Sequence, residues 1–343
     1  MTEVEGAAPP RERGWWGPII SVLVLVLVST LSAVRIVMPV EDVLLLLAPV
    51  TAACAVAGWR AGGRLPLAVL WTAFAVWVLW QETGSAGRFL DFARGWAVLL
   101  ALAFGVAAAS WKEEHFLPKA LIALTAALLL GVTTLMLVPG GLAGAAELVS
   151  GEVGRRAIQA TREWQELTGT PEWIDLVQRS PGWGVYSETV AKQLAELPVL
   201  ALRYYPALLA LQSLAVLAIG WAVYHRVGRA RLGPPLTSLR DLRFSDSLVW
   251  GMVAGLTLVA LPLSGVVRDA GLNLLIFFGV LYAMRGLGVL VWFLAPGRVM
   301  TVVLFVFSVI FWPVVVIVSA GLGLGDTWFD WRRASRQRSQ RSE

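Results

Sequence analysis

The chain has 343 residues, of which 57% are apolar and 15% charged, with a formal net charge of +5; its mean hydropathy is +0.71. Soluble domains run at roughly 45–50% apolar residues, and here the charges are gathered between long uncharged runs, as a bilayer requires when each buried ion costs several kcal/mol. The basic excess lies in short loops and a tail, which fits positive-inside topology and excludes nucleic acid as the expected partner, while the single cysteine, Cys54, excludes an intramolecular disulfide framework or a cysteine metal cluster.

A helix needs roughly 17–25 apolar residues to cross the hydrocarbon core. Nine segments reach or approach that length: 16–34, 40–59, 65–81, 92–111, 117–138, 202–224, 247–267, 272–295 and 299–325. Arg11 and Arg13 precede the first as in a signal peptide, but no small-x-small cleavage site with a following soluble domain appears, so it is read as a retained helix. Trp15, Trp16, Trp59, Trp80, Trp111, Trp221, Trp292 and Trp328 fall near the proposed ends, where indoles favour the headgroup zone. Small residues recur at four-residue spacing in Ala53/Ala57, Ala101/Gly105/Ala109, Ala123/Ala127/Gly131 and Gly251/Gly255, faces that let helices approach closely within the bundle or against a partner subunit.

Residues 140–198 break the apolar pattern. Ala146, Val149, Val153, Ala157, Ala160, Trp164 and Leu167 form an amphipathic stripe, Thr170-Pro171-Glu172 is a helix start, and Tyr186, Val190, Leu194 and Leu197 stripe a further helix. This insert is expected to be a helical cap or hairpin at the membrane surface, its stripe covered by the protein's own helices or by the interface. The arginine bias puts the N-terminus, Lys112, Lys119 and loop 225–246 in the cytoplasm and the insert outside. The basic tail, with Arg332, Arg333, Arg336, Arg338 and Arg341, favours eight full crossings over nine.

The expected fold class is therefore all-α: a polytopic transmembrane helical bundle of eight or nine hydrophobic helices with an amphipathic helical insert. Residues 1–139 hold about five membrane helices, 140–198 the insert, 199–328 about four more helices with the basic loop 225–246, and 329–343 the tail.

With His115 and His225 the only histidines, and without H-E-x-x-H, G-x-S-x-G or a Walker loop, no catalytic residue, metal site or cofactor is expected. Arg285 stands out, a lone charge thirteen residues beyond Leu272 in a run uncharged to Pro296, with Gly279, Gly286 and Gly288 leaving room for a helix or a ligand. At a helix centre it would cost at least ~2.5–3.5 kcal/mol without a partner or a wet cavity. Asp326, Asp91, Asp42 and Glu41 are the acids that could pair with it. Arg285, Asn273 and Asp326 are the candidate polar site within the membrane, ligand-binding or structural; Arg240, Asp241, Arg243 and Asp246 are candidates in the cytoplasmic loop. Pro313 and the run Gly321-Leu322-Gly323-Leu324-Gly325 are expected to loosen the last helix.

Three stretches carry a resemblance: Leu242-Arg243-Phe244-Ser245-Asp246, then Asn273-Leu274-Leu275 through Met284-Arg285-Gly286-Leu287, then Gly323-Leu324-Gly325-Asp326-Thr327-Trp328-Phe329-Asp330. In order and spacing they resemble the YybS-like family of bacterial membrane proteins, itself remotely similar to the substrate-capturing subunits of energy-coupling-factor transporters. The resemblance implies a non-enzymatic bundle in the bacterial cytoplasmic membrane that binds a small ligand or a partner membrane subunit. More than six spans and the long insert depart from such subunits. The alternatives are a scaffold or envelope-assembly protein that recruits partners, and an enzyme on a lipid-linked phosphate held by Arg285 and the arginines of loop 225–243.

Overall fold

The structure, a computed structural model, describes residues 14–30, 35–36, 39–81, 87–111, 113–262, 264–295 and 297–332. Among them are twelve α-helices and no strand: α1 Trp16–Thr30, α2 Val40–Arg60, α3 Leu65–Trp80, α4 Arg88–Ser110, α5 Phe116–Leu137, α6 Gly141–Thr168, α7 Pro171–Arg179, α8 Gly182–Val227, α9 Val249–Ala260, α10 Gly265–Leu294, α11 Arg298–Ile310 and α12 Trp312–Phe329. The chain divides into two compact units, Met1–Tyr205 with Leu209–Leu236, and Pro206–Leu208 with Thr237–Glu343.

In the first unit α2 packs on α3 and α4, and α4 on α5. Glu41 and Asp42 in the first turn of α2, and Arg60 in its last, oppose the helix dipole at each end. The Gly105 face of α4 meets the Ala53 face of α2, and Gly131 of α5 meets large side chains of α4. A Cβ built on Gly105 would lie 3.2 Å from Ala53 Cβ, and one on Gly131 would touch Leu99 and Trp96. Phe104, Phe116 and Trp221 form a triangle of ring contacts, and Trp221 is fully buried, so this indole belongs to the protein core rather than to the headgroup zone. Lys119, expected in the cytoplasm, is also fully buried; its Nζ donates to Leu232 O at 2.7 Å and lies over the Trp221 ring. Trp221 Nε1 and Tyr224 Oη donate to Pro234 O and Ala230 O, which pins the segment after α8 to the helix end.

The stripe of α6 is buried against its own chain: Val149, Val153, Ala157 and Ala160 share a core with Ile36, Phe89, Leu194 and Ala201. Thr170 caps α7, its hydroxyl accepting from Trp173 N–H. Trp164, Trp173, Trp183 and Tyr186 close a ring of four edge-to-face contacts at 5.7–6.3 Å. Trp164 and Tyr186 thereby bring the end of α6 against the start of α8, so α6 and α8 form a hairpin with α7 at its tip. Ion pairs fasten the hairpin to the bundle. Arg156 spans Asp42 of α2 at 3.0 Å and Glu152 at 2.7 Å, and Arg35 pairs with Glu163. The Glu152 carboxylate also holds the Arg155 guanidinium more firmly in its charged form.

In the second unit α9 packs on α10, and α10 on α12. The α9–α10 contact depends on glycine, because a Cβ on Gly255 would meet Gly271 O at 3.0 Å and one on Gly251 the ring of Phe278. The segment 299–325 is two helices, broken at Phe311, with Pro313 in the first turn of α12, where its missing N–H costs no hydrogen bond. The glycine run 321–325 stays helical, contrary to the loosening expected of it. Its use is close approach, since a Cβ on Gly323 would fall 1.9 Å from Tyr282 O.

Among the described residues, six helices are long and apolar enough to cross a membrane: α2, α4, α5, α8, α10 and α12. Leu65–Trp80, Asp246–Ala260 and Val299–Ser308 are apolar but shorter. The hydrophobic segment expected over 202–224 is part of a single 46-residue helix, about 69 Å long, whose first half carries one arm of the hairpin.

Candidate functional site

Among the described residues, about half of the second unit's charged residues gather at one place. Arg285 projects from α10 and is buried; its Nε donates to Asp326 Oδ2 at 3.0 Å, its NH2 to Asp326 O at 3.2 Å, and its NH1 to Asp246 Oδ1 at 2.9 Å. Arg332, just beyond α12, donates to the same Asp326 Oδ2 at 2.8 Å and to the carbonyls of Arg240 and Leu242 at 3.0 and 3.2 Å. Arg243 pairs with Asp330 at 2.8 Å. Three arginines thus face three aspartates. The Phe244 ring lies 5.3 Å from the Arg285 guanidinium and edge-on to Tyr282.

Local sequence explains how these side chains meet. Gly286 on α10 allows α12 so near that a Cβ would lie 1.8 Å from Ser319 O, and Gly288 admits the loop backbone, with Leu239 O at 2.3 Å from a built Cβ. Ser245 caps the short 3-10 turn that holds Asp246, its Oγ accepting from Ser247 N–H. The three stretches that carried the family resemblance therefore converge on one cluster.

Of the residues singled out from sequence, Arg285, Asp326, Asp246 and Arg243 come together here. Arg240 contributes only its carbonyl, and Asp241 accepts from Ser238 Oγ at 2.7 Å outside the ion pairs. Asn273 is elsewhere. It lies twelve residues back along α10, about 18 Å from Arg285, where Oδ1 accepts from Ala207 N–H and Nδ2 donates to Asp269 O. The other acids proposed for Arg285 are engaged in the first unit, Asp42 with Arg156 and Asp91 with Arg94. Counting from Leu272 suggests a guanidinium at mid-bilayer, yet its partner Asp246 is on a polar loop with its carboxylate side chain 63% exposed. Arg285 thus stands where the buried helix pair meets a polar surface.

Arg332 is not singled out by the sequence, because a basic residue that opens a basic tail looks solvated. One signal is present in the sequence, the aromatic residues Trp328, Phe329 and Trp331 that reach up to it; in the structure Phe329 and Trp331 stack at 5.9 Å. Chemically Arg285 is satisfied, every guanidinium nitrogen being engaged, whereas Asp326 Oδ1 and Arg332 Nε are buried without a hydrogen-bonding partner. Two cavities lie elsewhere, a groove of about 700 Å³ along α3 and a shallower one of about 540 Å³ at Ser180, Gly182, Trp183 and Tyr186. No group of three or more His, Cys, Asp or Glu among the described residues could hold a metal ion.

These features define a multi-pass membrane protein built as an all-α helical bundle. A family of predicted membrane proteins, DUF2232, matches residues 22–327, and the chain belongs to that family. No curated protein and no solved structure matches the chain.

Proposed function

We propose that the protein is a non-enzymatic scaffold of the bacterial cytoplasmic membrane, holding the α6–α8 hairpin outside and the loop 237–248 inside for partner proteins. The observation that carries this reading is the saturation of Arg285 by Asp326, Asp246 and a backbone carbonyl. A capture subunit, as the remote transporter resemblance implies, needs such a group turned toward a polar cavity, and neither cavity includes Arg285, Asp246, Asp326 or Arg332. The same saturation weighs against an enzyme that grips a lipid-linked phosphate with Arg285. Exposed Ile174, Trp183, Val185 and Tyr186 at the hairpin tip suit recruitment of a protein outside the membrane.

The test is Arg285→Leu in the full chain, read as protein level in the membrane, melting temperature after solubilisation and cellular phenotype. A scaffold held together by this ion network loses level and melting temperature along with the phenotype. A variant that keeps wild-type level and melting temperature but loses the phenotype would favour ligand capture and sink the scaffold reading.

A further inference from the structure

The groove along α3 is bounded by Val56 and Trp59 of α2 and by one face of α3 from Leu65 through Thr72 and Ala73 to Trp80. Small side chains in the middle make it concave, and indoles stand at both ends. α3 has 16 residues, so the groove is about 24 Å long, most of the ~30 Å hydrocarbon thickness. Its volume of about 700 Å³ is in the range of ligand sites. Only α2 packs extensively against α3.

The two ends differ in their arginines: at Gln81 the Arg94 guanidinium is engaged by the Gln81 carbonyl and by Asp91, whereas the other end is open. The last turn of α2 and the turn before α3 place Arg60 and Arg64 there, each next in sequence to a lining residue, Trp59 or Leu65. Gly62, at φ +92°, makes the turn between them. Both arginines are exposed and, among the described residues, neither has an acidic or hydrogen-bonding partner. Two exposed arginines beside the lining residues at one end of an apolar groove, somewhat shorter than the hydrocarbon is thick, call for a molecule with a long apolar body and a single anionic head. A transmembrane helix would fill the apolar face and leave the guanidiniums unmatched. A neutral lipid would do the same.

We propose that this groove binds an anionic glycerophospholipid, an acyl chain lying along α3 and the phosphate held between Arg60 and Arg64. The guanidinium fork matches phosphate oxygens in pairs, which an ammonium does not. The site is independent of the Arg285 cluster and of the scaffold reading.

The test uses full-length protein reconstituted in vesicles of phosphatidylglycerol and phosphatidylcholine in equal parts, extracted in mild detergent and examined by native mass spectrometry. Wild type should retain phosphatidylglycerol. Arg60→Gln with Arg64→Gln should retain it about thirty-fold less, as expected for two surface arginines each attracting an anionic headgroup, and Arg60→Lys with Arg64→Lys should recover part of that loss. Ala73→Trp should fill the groove and displace the chain. Arg60, Arg64 and Ala73 are exposed, so melting temperatures should stay at the wild-type value. Equal retention by wild type and the double glutamine variant, or equal retention of both lipids, would overturn the proposal. So would preferential retention of an added polyprenyl phosphate, or disulfide-linked dimers of Thr72→Cys in a Cys54→Ala background, which would make the groove a seam between two copies.

Discussion

Asp326 is the hinge of the polar interior in the second unit, since one of its oxygens takes both Arg285 and Arg332, and both it and Arg332 are 1% exposed. Removing one partner of a buried pair costs more than the pair contributes, because the survivor stays buried without a countercharge. Asp326→Asn keeps the shape but leaves the Arg332 guanidinium buried with no carboxylate and Arg285 with Asp246 alone, and should destabilise the folded protein by about 3–5 kcal/mol. Arg285→Leu should cost less, because Arg332 remains opposite Asp326. Denaturant titration of the two purified variants would decide the order, and equal losses would mean that Arg332 does not neutralise Asp326. Arg285 and Asp326 were legible in the sequence because each is a lone charge in an apolar run, where an unpaired ion is too costly to leave exposed to lipid. Arg332 was not, because a basic residue near a chain end looks the same whether it folds back or is solvated.

Between elements, the second unit is held by backbone contact rather than by large side chains. Gly286→Ala and Gly323→Ala would each drive a methyl group into a carbonyl oxygen of the facing helix, so α10 and α12 must part, at a cost of about 1–3 kcal/mol each. Gly279 has open space around its built Cβ, and Gly279→Ala should gain up to about 1 kcal/mol from helix propensity. Melting temperatures in detergent should therefore fall for the first two and hold or rise for the third; a fall of similar size in all three would remove close packing as the cause. In the sequence, four-residue spacing marks Gly251/Gly255 as such a face, and Gly286 leaves room for a helix or a ligand. The spacing could not say which face meets which, nor that a Gly-x-Gly-x-Gly run would stay helical, because the same glycines that weaken an isolated helix are those that let a neighbour's carbonyl come close.

For the whole molecule, the arginine bias predicts a cytoplasmic loop at Ser238 and an outside hairpin at Ser187. With the buried Cys54 replaced by alanine, Ser187→Cys should react with an impermeant maleimide in intact cells, and Ser238→Cys only after permeabilisation. The opposite pattern would invert the topology. The hairpin itself was partly legible: its stripe demanded cover, and Val149, Val153, Ala157 and Ala160 found it on the protein's own chain.

Composition and periodicity alone determined that this chain is an all-α membrane bundle, because hydrocarbon tolerates neither unpaired backbone nor scattered charge, and both demands are written residue by residue. Where Arg285 finds its acids, that Lys119 and Trp221 are core residues, and that 299–325 is two helices were decided by tertiary structure. Those outcomes depend on which distant segments come together, and segments such as Asp246, Arg285 and Asp326 are joined only when glycine backbones bring α10, α12 and the loop before α9 within contact.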